Sequence, residues 1–447
     1  MFSDDDIFIN PTNDNQWLSP DFDHTLSGKV RVANNSQVPI NLKKNQVVAH
    51  ITRANDTVPS NICESNTPPP PVITSNFSSI KFNPQKMNID PSWEQKFAQL
   101  HSRYADVFNN DLPGYNGKFG AIYAHVNVGE SLPPQRRGRV PQYTRNLLSE
   151  LQNQFDNLET MGVFAKPEDV GVYAEYVNPS FLVNKPSGGH RLVTSFGEVA
   201  KHNKPTPTLT PSVDSTIRNV GSWKYLIKTD LTKANFQIPL HQDSRKYCAV
   251  VTPYKGVRVY CRAAMGMPGS ESALDELMSR ILGDLIQEGK VERVADDLYI
   301  GGDDLISLFK TWEIVLNRLQ QAGLRLSAPK TVIIPLSTSI LGWEWSQGKL
   351  TASPHHVSSL SVCDIPKTVK SLRSYIGAYK VVSRVLKKCS QYLAPLDKLT
   401  AGKQSSDKLE WDPISLQAFA DSQSHLKNCA PINIPTPSDK LWYGRPY

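Results

Sequence analysis

The chain has 447 residues, 39% hydrophobic and 20% charged, with a net charge of +7; this suits a soluble globular protein of two to four structural units. No apolar run approaches the roughly 20 residues that span a bilayer, and the acidic start MFSDDDIFIN lacks the parts of a signal peptide. An intracellular protein with no membrane partner is expected.

Six scattered cysteines without a C-x-x-C pair argue against a zinc module or a disulfide framework, and buried reduced thiols are expected for most of them. Charge is uneven. Six of the 42 acidic residues fall before residue 29, where there is no Lys or Arg, so the rest carries 36 acidic against 49 basic residues, a net +13. A basic body is compatible with a polyanionic partner such as nucleic acid, though charge alone is weak support.

Residues 27–52 alternate apolar and polar side chains between Asn-rich turns and read as part of a small β-rich segment over 1–57. A Pro-rich linker over 58–90, with TPPPP at 67–71, is expected to stay extended. Residues 93–108 and 144–161 have helical periodicity, and NKPTPTLTPS (203–212) reads as a connector. WKYLIK, ending at Thr229-Asp230, is β-prone. YCAVVTP and VRVYCR flank Tyr254-Lys255-Gly256 as a hairpin. Helices are predicted over 272–287 and 305–321, and VERV-ADD-LYI reads as strand, tight turn, strand. TVIIP and SILGWEW read as two more strands, and 366–388 as a basic amphipathic helical stretch. The order predicts an antiparallel sheet backed by helices, an α+β layer.

Asp230 ends one predicted strand, and Asp296 and Asp297 lie at a hairpin tip. In one sheet, the three carboxylates would converge and raise one another's pKa unless a cation intervened. Mg²⁺ fits such an oxygen-only set, and two ions about 4 Å apart can activate a 3′-hydroxyl and stabilise a leaving pyrophosphate. A DD pair by itself is more often a solvated turn.

Five stretches in order change that balance: KTDLTKANFQIPL (228–240), CRAAMGMPGSESALDELM (261–278), RVADDLYI (293–300), GLRLSAPKT (323–331) and ILGWEW (340–345). The series resembles the polymerase motifs of reverse transcriptases, in particular the Pol polyprotein of gypsy-type LTR retrotransposons. The resemblance runs from about residue 101 to the C-terminus, and more loosely from residue 28.

The resemblance implies a right-hand polymerase of fingers, palm and thumb. Fingers and palm would occupy 91–350 and the thumb or connection 351–410. Asp230 and Asp296 would bind the metal ions, with Asp297 beside them and the carbonyl of Leu231 as a further ligand. Asn235 and Phe236 fall where the incoming sugar is sensed. Lys185 and Arg191, in LVNKPSGGHRLVTSF, match the residues that hold the triphosphate, a task suited to their charge. Met265 and Gly266 match the turn under the nucleotide and template. Lys330 matches the general acid offered to pyrophosphate, and Leu341, Gly342 and Trp343 the primer grip. The run RRGR at 136–139 either holds a template phosphate or is a solvated loop.

This chain departs from the pattern at several places. Asn235 stands where an aromatic ring usually blocks a ribose 2′-hydroxyl, which puts deoxynucleotide selectivity in question. Val294 replaces the usual aromatic two residues before Asp296, with Ala295 between them. Ser195 and Ala200 replace a common Asp and Asn. None of these removes a metal ligand. No protease D-T-G or D-S-G occurs, and 411–447 resembles only the entrance to an RNase H-like domain, so truncation at both ends is expected.

The resemblance thus implies an RNA-directed DNA polymerase with two Mg²⁺ ions (Mn²⁺ as a substitute), an RNA or DNA template with its primer, and dNTPs. The alternatives are a relic that only binds nucleic acid, favoured by Asn235 and the ends, and a structural α+β protein whose Asp pair is an exposed turn.

Overall fold

The adjacent apolar residues of WKYLIKTD suit the middle of a sheet, because a strand buried on both faces needs apolar side chains in both directions. The computed structural model describes residues 6–11, 21–24, 49–53, 77–82, 89–129, 140–185, 188–204, 212–429 and 432–433. The RRGR run and residues 434–447 lie outside them, as does most of the Pro-rich linker.

The chain divides into two units, one of residues 1–72 with 142–150 and one of 73–141 with 151–447. The first holds a three-stranded antiparallel sheet in the order Asp21–His24, Asp6–Pro11, Ala49–Arg53. Its central strand precedes the 27–52 segment in which alternation was read.

In the second unit a five-stranded sheet runs in the order Val291–Val294, Asp297–Gly302, Tyr225–Asp230, Val332–Ile333, Lys81–Phe82. The first four strands are antiparallel and the last pair parallel. Lys81–Phe82 falls inside the predicted linker; two residues are too few for periodicity to register. Register places Ile227, Thr229, Leu298, Ile300, Val291 and Arg293 on one face, and Leu226, Asp230, Asp297, Tyr299 and Glu292 on the other.

Helices Ser270–Gln287 and Leu305–Ala322 pack beside this sheet, burying Leu274, Leu277, Ile281 and Leu285 from one and Leu308, Trp312, Val315 and Leu319 from the other. Asp304 caps the second helix by accepting from the Ser307 amide at 2.8 Å, and Gly323 ends it at φ +74°. Buried Trp312 donates its Nε1 to His101 Nε2 at 3.0 Å. Burial pushes that imidazole down to about 4, so it stays a neutral acceptor.

A three-stranded sheet (Phe164–Ala165, Gly256–Tyr260, Ala249–Thr252) and the hairpin Ser180–Asn184/His190–Thr194 lie in the same unit. They meet through a buried 2.7 Å hydrogen bond between the Thr194 and Tyr260 hydroxyls.

SILGWEW is two strands rather than one. Leu341 and Gly342, both left-handed at φ +49° and +85°, make a two-residue turn that pairs Ile340 with Trp343. The basic stretch 366–388 is α-helical over Val369–Val382, where a Thr368/Ser371 capping box starts it, and continues as a 3-10 turn over Ser383–Val385. Phe419 and Leu426, from the segment read as an RNase H-like start, share one core with Leu372, Tyr375, Tyr379 and Leu396. Of the described cysteines, all free, only Cys248 is fully buried; the others are half-buried. Among the described residues no helix is long and apolar enough to cross a membrane.

Candidate active site

Asp230 and Asp297 are direct cross-strand partners on one face, so their Cβ atoms stand about 5 Å apart. Like charges in that position repel. Val294 also pairs with Asp297, which leaves Ala295 and Asp296 as a two-residue turn. Ala295 takes φ +54°, a left-handed conformation that disfavours a side chain with a Cβ. The turn is held to the central strand by the Leu231 amide, which donates to the Asp296 carbonyl at 3.1 Å. Three carboxylates therefore meet at one end of the sheet: Asp230 buried, Asp297 half-buried and Asp296 exposed.

Lys330 supplies the positive charge. It belongs to the short 3-10 turn Ala328–Lys330, just before the strand Val332–Ile333, and its Nζ lies 2.7 Å from Asp230 Oδ2. The Thr229 and Thr331 hydroxyls bond at 2.7 Å beneath it, and the Ser327 amide donates to the Asp230 carbonyl at 2.8 Å. Burial raises the Asp230 carboxyl above its ordinary value; Lys330 opposes that rise, and Asp296 and Asp297 add to it. Burial works against the Lys330 charge, but the Asp230 hydrogen bond and the three carboxylates outweigh it and raise the ammonium pKa. Tyr299, fully buried, donates its hydroxyl to Asp297 Oδ2 at 3.2 Å and its pKa is pushed upward, first by burial and then by that carboxylate.

The set suits a hard divalent cation, since every donor is oxygen and the negative charge exceeds the one ammonium that answers it. The Leu231 carbonyl fits as well, because it accepts no hydrogen bond from the described residues. The side chains do not already form a cage: among the described residues no group of three His, Cys, Asp or Glu stands in ligating geometry.

The other predicted residues are spread over neighbouring elements. Lys185 and Arg191 are exposed on the hairpin Ser180–Asn184/His190–Thr194, a different sheet from the carboxylates. Gln154 fixes that hairpin by accepting from the Leu192 amide at 2.6 Å. Asn235 and Phe236 sit in the 3-10 turn Ala234–Gln237 directly after Asp230-Leu231, and the Asn235 Oδ1 is enclosed with no hydrogen-bond partner among the described residues. Gln237 anchors this turn, taking the Arg325 amide at 2.6 Å and donating to the Thr232 carbonyl at 2.7 Å. Met265 is 70% exposed beside Gly266 at φ +75°. A Cβ on nearby Gly269 would lie 2.2 Å from the His125 carbonyl oxygen, so the MGMPG turn needs glycine there. Leu341 and Gly342 form the hairpin turn described above, and Trp343 is buried in the tryptophan cluster with Trp223 and Trp345.

Two residues near the site went unread in the sequence. Tyr299 follows Asp297 by two positions, so strand periodicity alone places it on the same face. Lys233, left-handed at φ +47°, sets its ammonium 3.4 Å from Met161 Sδ. Loss of solvation and then the charge of Lys185 push it below the usual lysine range.

Comparison with known proteins bears on the family and the fold. Residues 189–345 match the sequence family described as reverse transcriptase (RNA-dependent DNA polymerase). The chain is 24% identical over 366 residues to the retrovirus-related Pol polyprotein from transposon opus of Drosophila melanogaster, covering 78% of this chain and 35% of that protein. It is 23% identical over 251 residues to the Transposon Tf2-3 polyprotein of Schizosaccharomyces pombe, covering 56% of this chain and 18% of that one. It therefore spans about a third or less of the length of these relatives.

Among solved structures, the foamy viral protease-reverse transcriptase dRH in complex with ds DNA superposes with a TM-score of 0.67 at 19% identity. That match covers 82% of this chain and 63% of that one. The foamy viral protease-reverse transcriptase in complex with RNA/DNA hybrid gives 0.64 at 19% identity, over 81% and 48%. The fold is the α+β right-hand polymerase, residues 189–345 match the reverse transcriptase family, and the chain is similar to the reverse transcriptase region of retrotransposon Pol polyproteins.

Proposed function

We propose that the chain is an RNA-directed DNA polymerase that adds deoxynucleotides to a primer 3′-hydroxyl on an RNA or DNA template. The observation that carries this reading is the register of Asp297 against Asp230, with the Asp296 turn clamped by the Leu231 amide. Asp230, Asp296, Asp297 and the Leu231 carbonyl would hold two Mg²⁺ ions, or Mn²⁺ in their place. Such ions, when bound, increase the acidity of a 3′-hydroxyl and neutralise charge on the departing pyrophosphate.

The protein's own groups do the rest. Lys185 and Arg191 carry cationic donors for the triphosphate. Lys330, protonated and bonded to Asp230, carries the proton for the leaving pyrophosphate. Asn235 and Phe236 line the turn after Asp230, where the sugar would be read.

Primer extension on poly(rA)/oligo(dT) with Mg²⁺ tests the reading, comparing wild type with Asp296→Asn. Wild type is expected to extend, and the variant to lose about two orders of magnitude or more, the size seen when a group stabilising transition-state charge is removed. Equal extension by both sinks the metal-ligand assignment. Absence of extension by wild type, with template–primer binding retained, leaves the reading of a nucleic-acid-binding relic.

A further inference from the structure

Arg293 is 2% exposed, on the sheet face opposite the carboxylates, and a buried guanidinium is costly unless well paired. Its Nη2 pairs with Asp275 Oδ1, a buried carboxylate of helix Ser270–Gln287. Its Nη1 donates at 2.9 Å to the carbonyl of Ala295. Its Nε has no partner among the described residues. Replacing a buried ion pair by apolar residues of similar volume is often neutral or stabilising. The ion pair therefore calls for an account in terms of position.

Its two ends supply one. Asp275 fixes the guanidinium to a long, well-buried helix, and the guanidinium grips the first residue of the two-residue turn. The next carbonyl, that of Asp296, is held by the Leu231 amide. Two consecutive carbonyls are thus held by donors from two different chain segments, which fixes a turn whose first residue is an alanine at φ +54°. The peptide planes of Ala295 and Asp296 set where the Asp296 and Asp297 side chains point.

We infer that Arg293, anchored by Asp275, is a positioning residue that holds the Ala295-Asp296 turn so that Asp296 and Asp297 face a shared divalent cation. The inference rests on the proposed reading of those carboxylates as cation ligands. Loss of a group that orients a metal ligand typically weakens metal affinity about 10- to 100-fold.

The test measures Mn²⁺ binding by electron paramagnetic resonance on the full chain with a primer–template duplex. Wild type is compared with Asp296→Asn, Arg293→Met, Arg293→Lys and Asp275→Asn, and Mg²⁺ titrations of primer extension and urea unfolding are run alongside. Arg293→Met is expected to weaken Mn²⁺ about tenfold or more and to move the Mg²⁺ midpoint upward equally, with duplex affinity and nucleotide KM unchanged. Arg293→Lys keeps the charge but lacks the planar fork that joins Ala295 to Asp275, so an intermediate loss is expected. A merely structural role lowers the urea midpoint and the folded fraction but leaves the Mn²⁺ affinity of the folded protein alone.

Unchanged Mn²⁺ affinity in folded Arg293→Met overturns the inference. Should that variant not fold, unchanged affinity in both Arg293→Lys and Asp275→Asn does the same. A wild type that binds Mn²⁺ through Asp296 yet never extends a primer rejects the polymerase reading alone, and the Mn²⁺ affinities still decide the role of Arg293. A wild type that binds Mn²⁺ no better than Asp296→Asn overturns both.

Discussion

Lys330 Nζ lies 2.7 Å from Asp230 Oδ2, joining an ammonium 65% exposed to a carboxylate only 10% exposed. The pairing is lopsided, and burial still leaves the carboxyl pKa above its ordinary 3.8. A folded-state pKa above the unfolded value means that Asp230 stabilises the fold below about 3.8 and loses that contribution as pH rises through the raised value.

Asp230→Asn should therefore raise the urea midpoint of metal-free protein at pH 7, with the gain vanishing below pH 3.8. Lys330→Met should lower it, by under about 1 kcal/mol because the ammonium is largely solvated. Urea titrations across pH in EDTA check both. An Asp230→Asn protein no more stable than wild type at pH 7 would mean that Lys330 fully compensates the carboxylate.

Ala295 at φ +54° pays for a conformation that glycine adopts freely. Ala295→Gly should stabilise the chain by about 0.5–1 kcal/mol, the relief of left-handed strain less the added freedom of the unfolded chain. Denaturant unfolding measures it. A loss of stability would show that the alanine methyl makes a packing contact worth more than the strain.

Gly301 touches Trp223 so closely that a Cβ would fall 2.0 Å from the indole ring. Trp223 is buried and bonded through Nε1 to the Gly289 carbonyl at 3.1 Å, so it has little room to move. Gly301→Ala should destabilise by about 1–3 kcal/mol, as overpacked cores do. A variant with the wild-type urea midpoint would mean that the indole shifts without cost.

The Asn235 Oδ1 is a buried acceptor with no partner among the described residues, so an aromatic replacement loses no hydrogen bond of that oxygen to them. Asn235→Phe should keep or raise stability and, under the proposed reading, cut ribonucleotide relative to deoxynucleotide incorporation on the order of tenfold or more. Single-nucleotide incorporation with paired dNTP and rNTP substrates measures the ratio. An unchanged ratio would remove Asn235 from sugar recognition.

Much of this architecture is legible in residue order. The period-2 and helical patterns place the strand ending at Asp230, the hairpin around Asp296 and the helices ending near Gln287 and Ala322, each within a few residues. One short element escaped, because Lys81–Phe82 is too brief for any period to show, whereas Val332–Ile333 falls inside the stretch TVIIP that reads as a strand. The turn inside SILGWEW was hidden because Leu341, a branched apolar residue, takes a left-handed conformation that its side chain does not advertise.

Local chemistry along the chain was enough to pick out the three aspartates, since charged residues in apolar strands stand out against their surroundings. Their reading as a metal site and the naming of Lys330 came only from the ordered motifs and the resemblance they carry. What local chemistry could not supply was cross-strand register. Asp297 lies opposite Asp230 only because the two strands pair without a slip, and a one-residue shift would turn the carboxylate to the other face. Lys330 is 100 residues from Asp230, and Asp275 is 18 from Arg293; such contacts form only when the sheet and its helices close together. Residue order determined which groups carry charge, and the tertiary structure decided which of those charges meet.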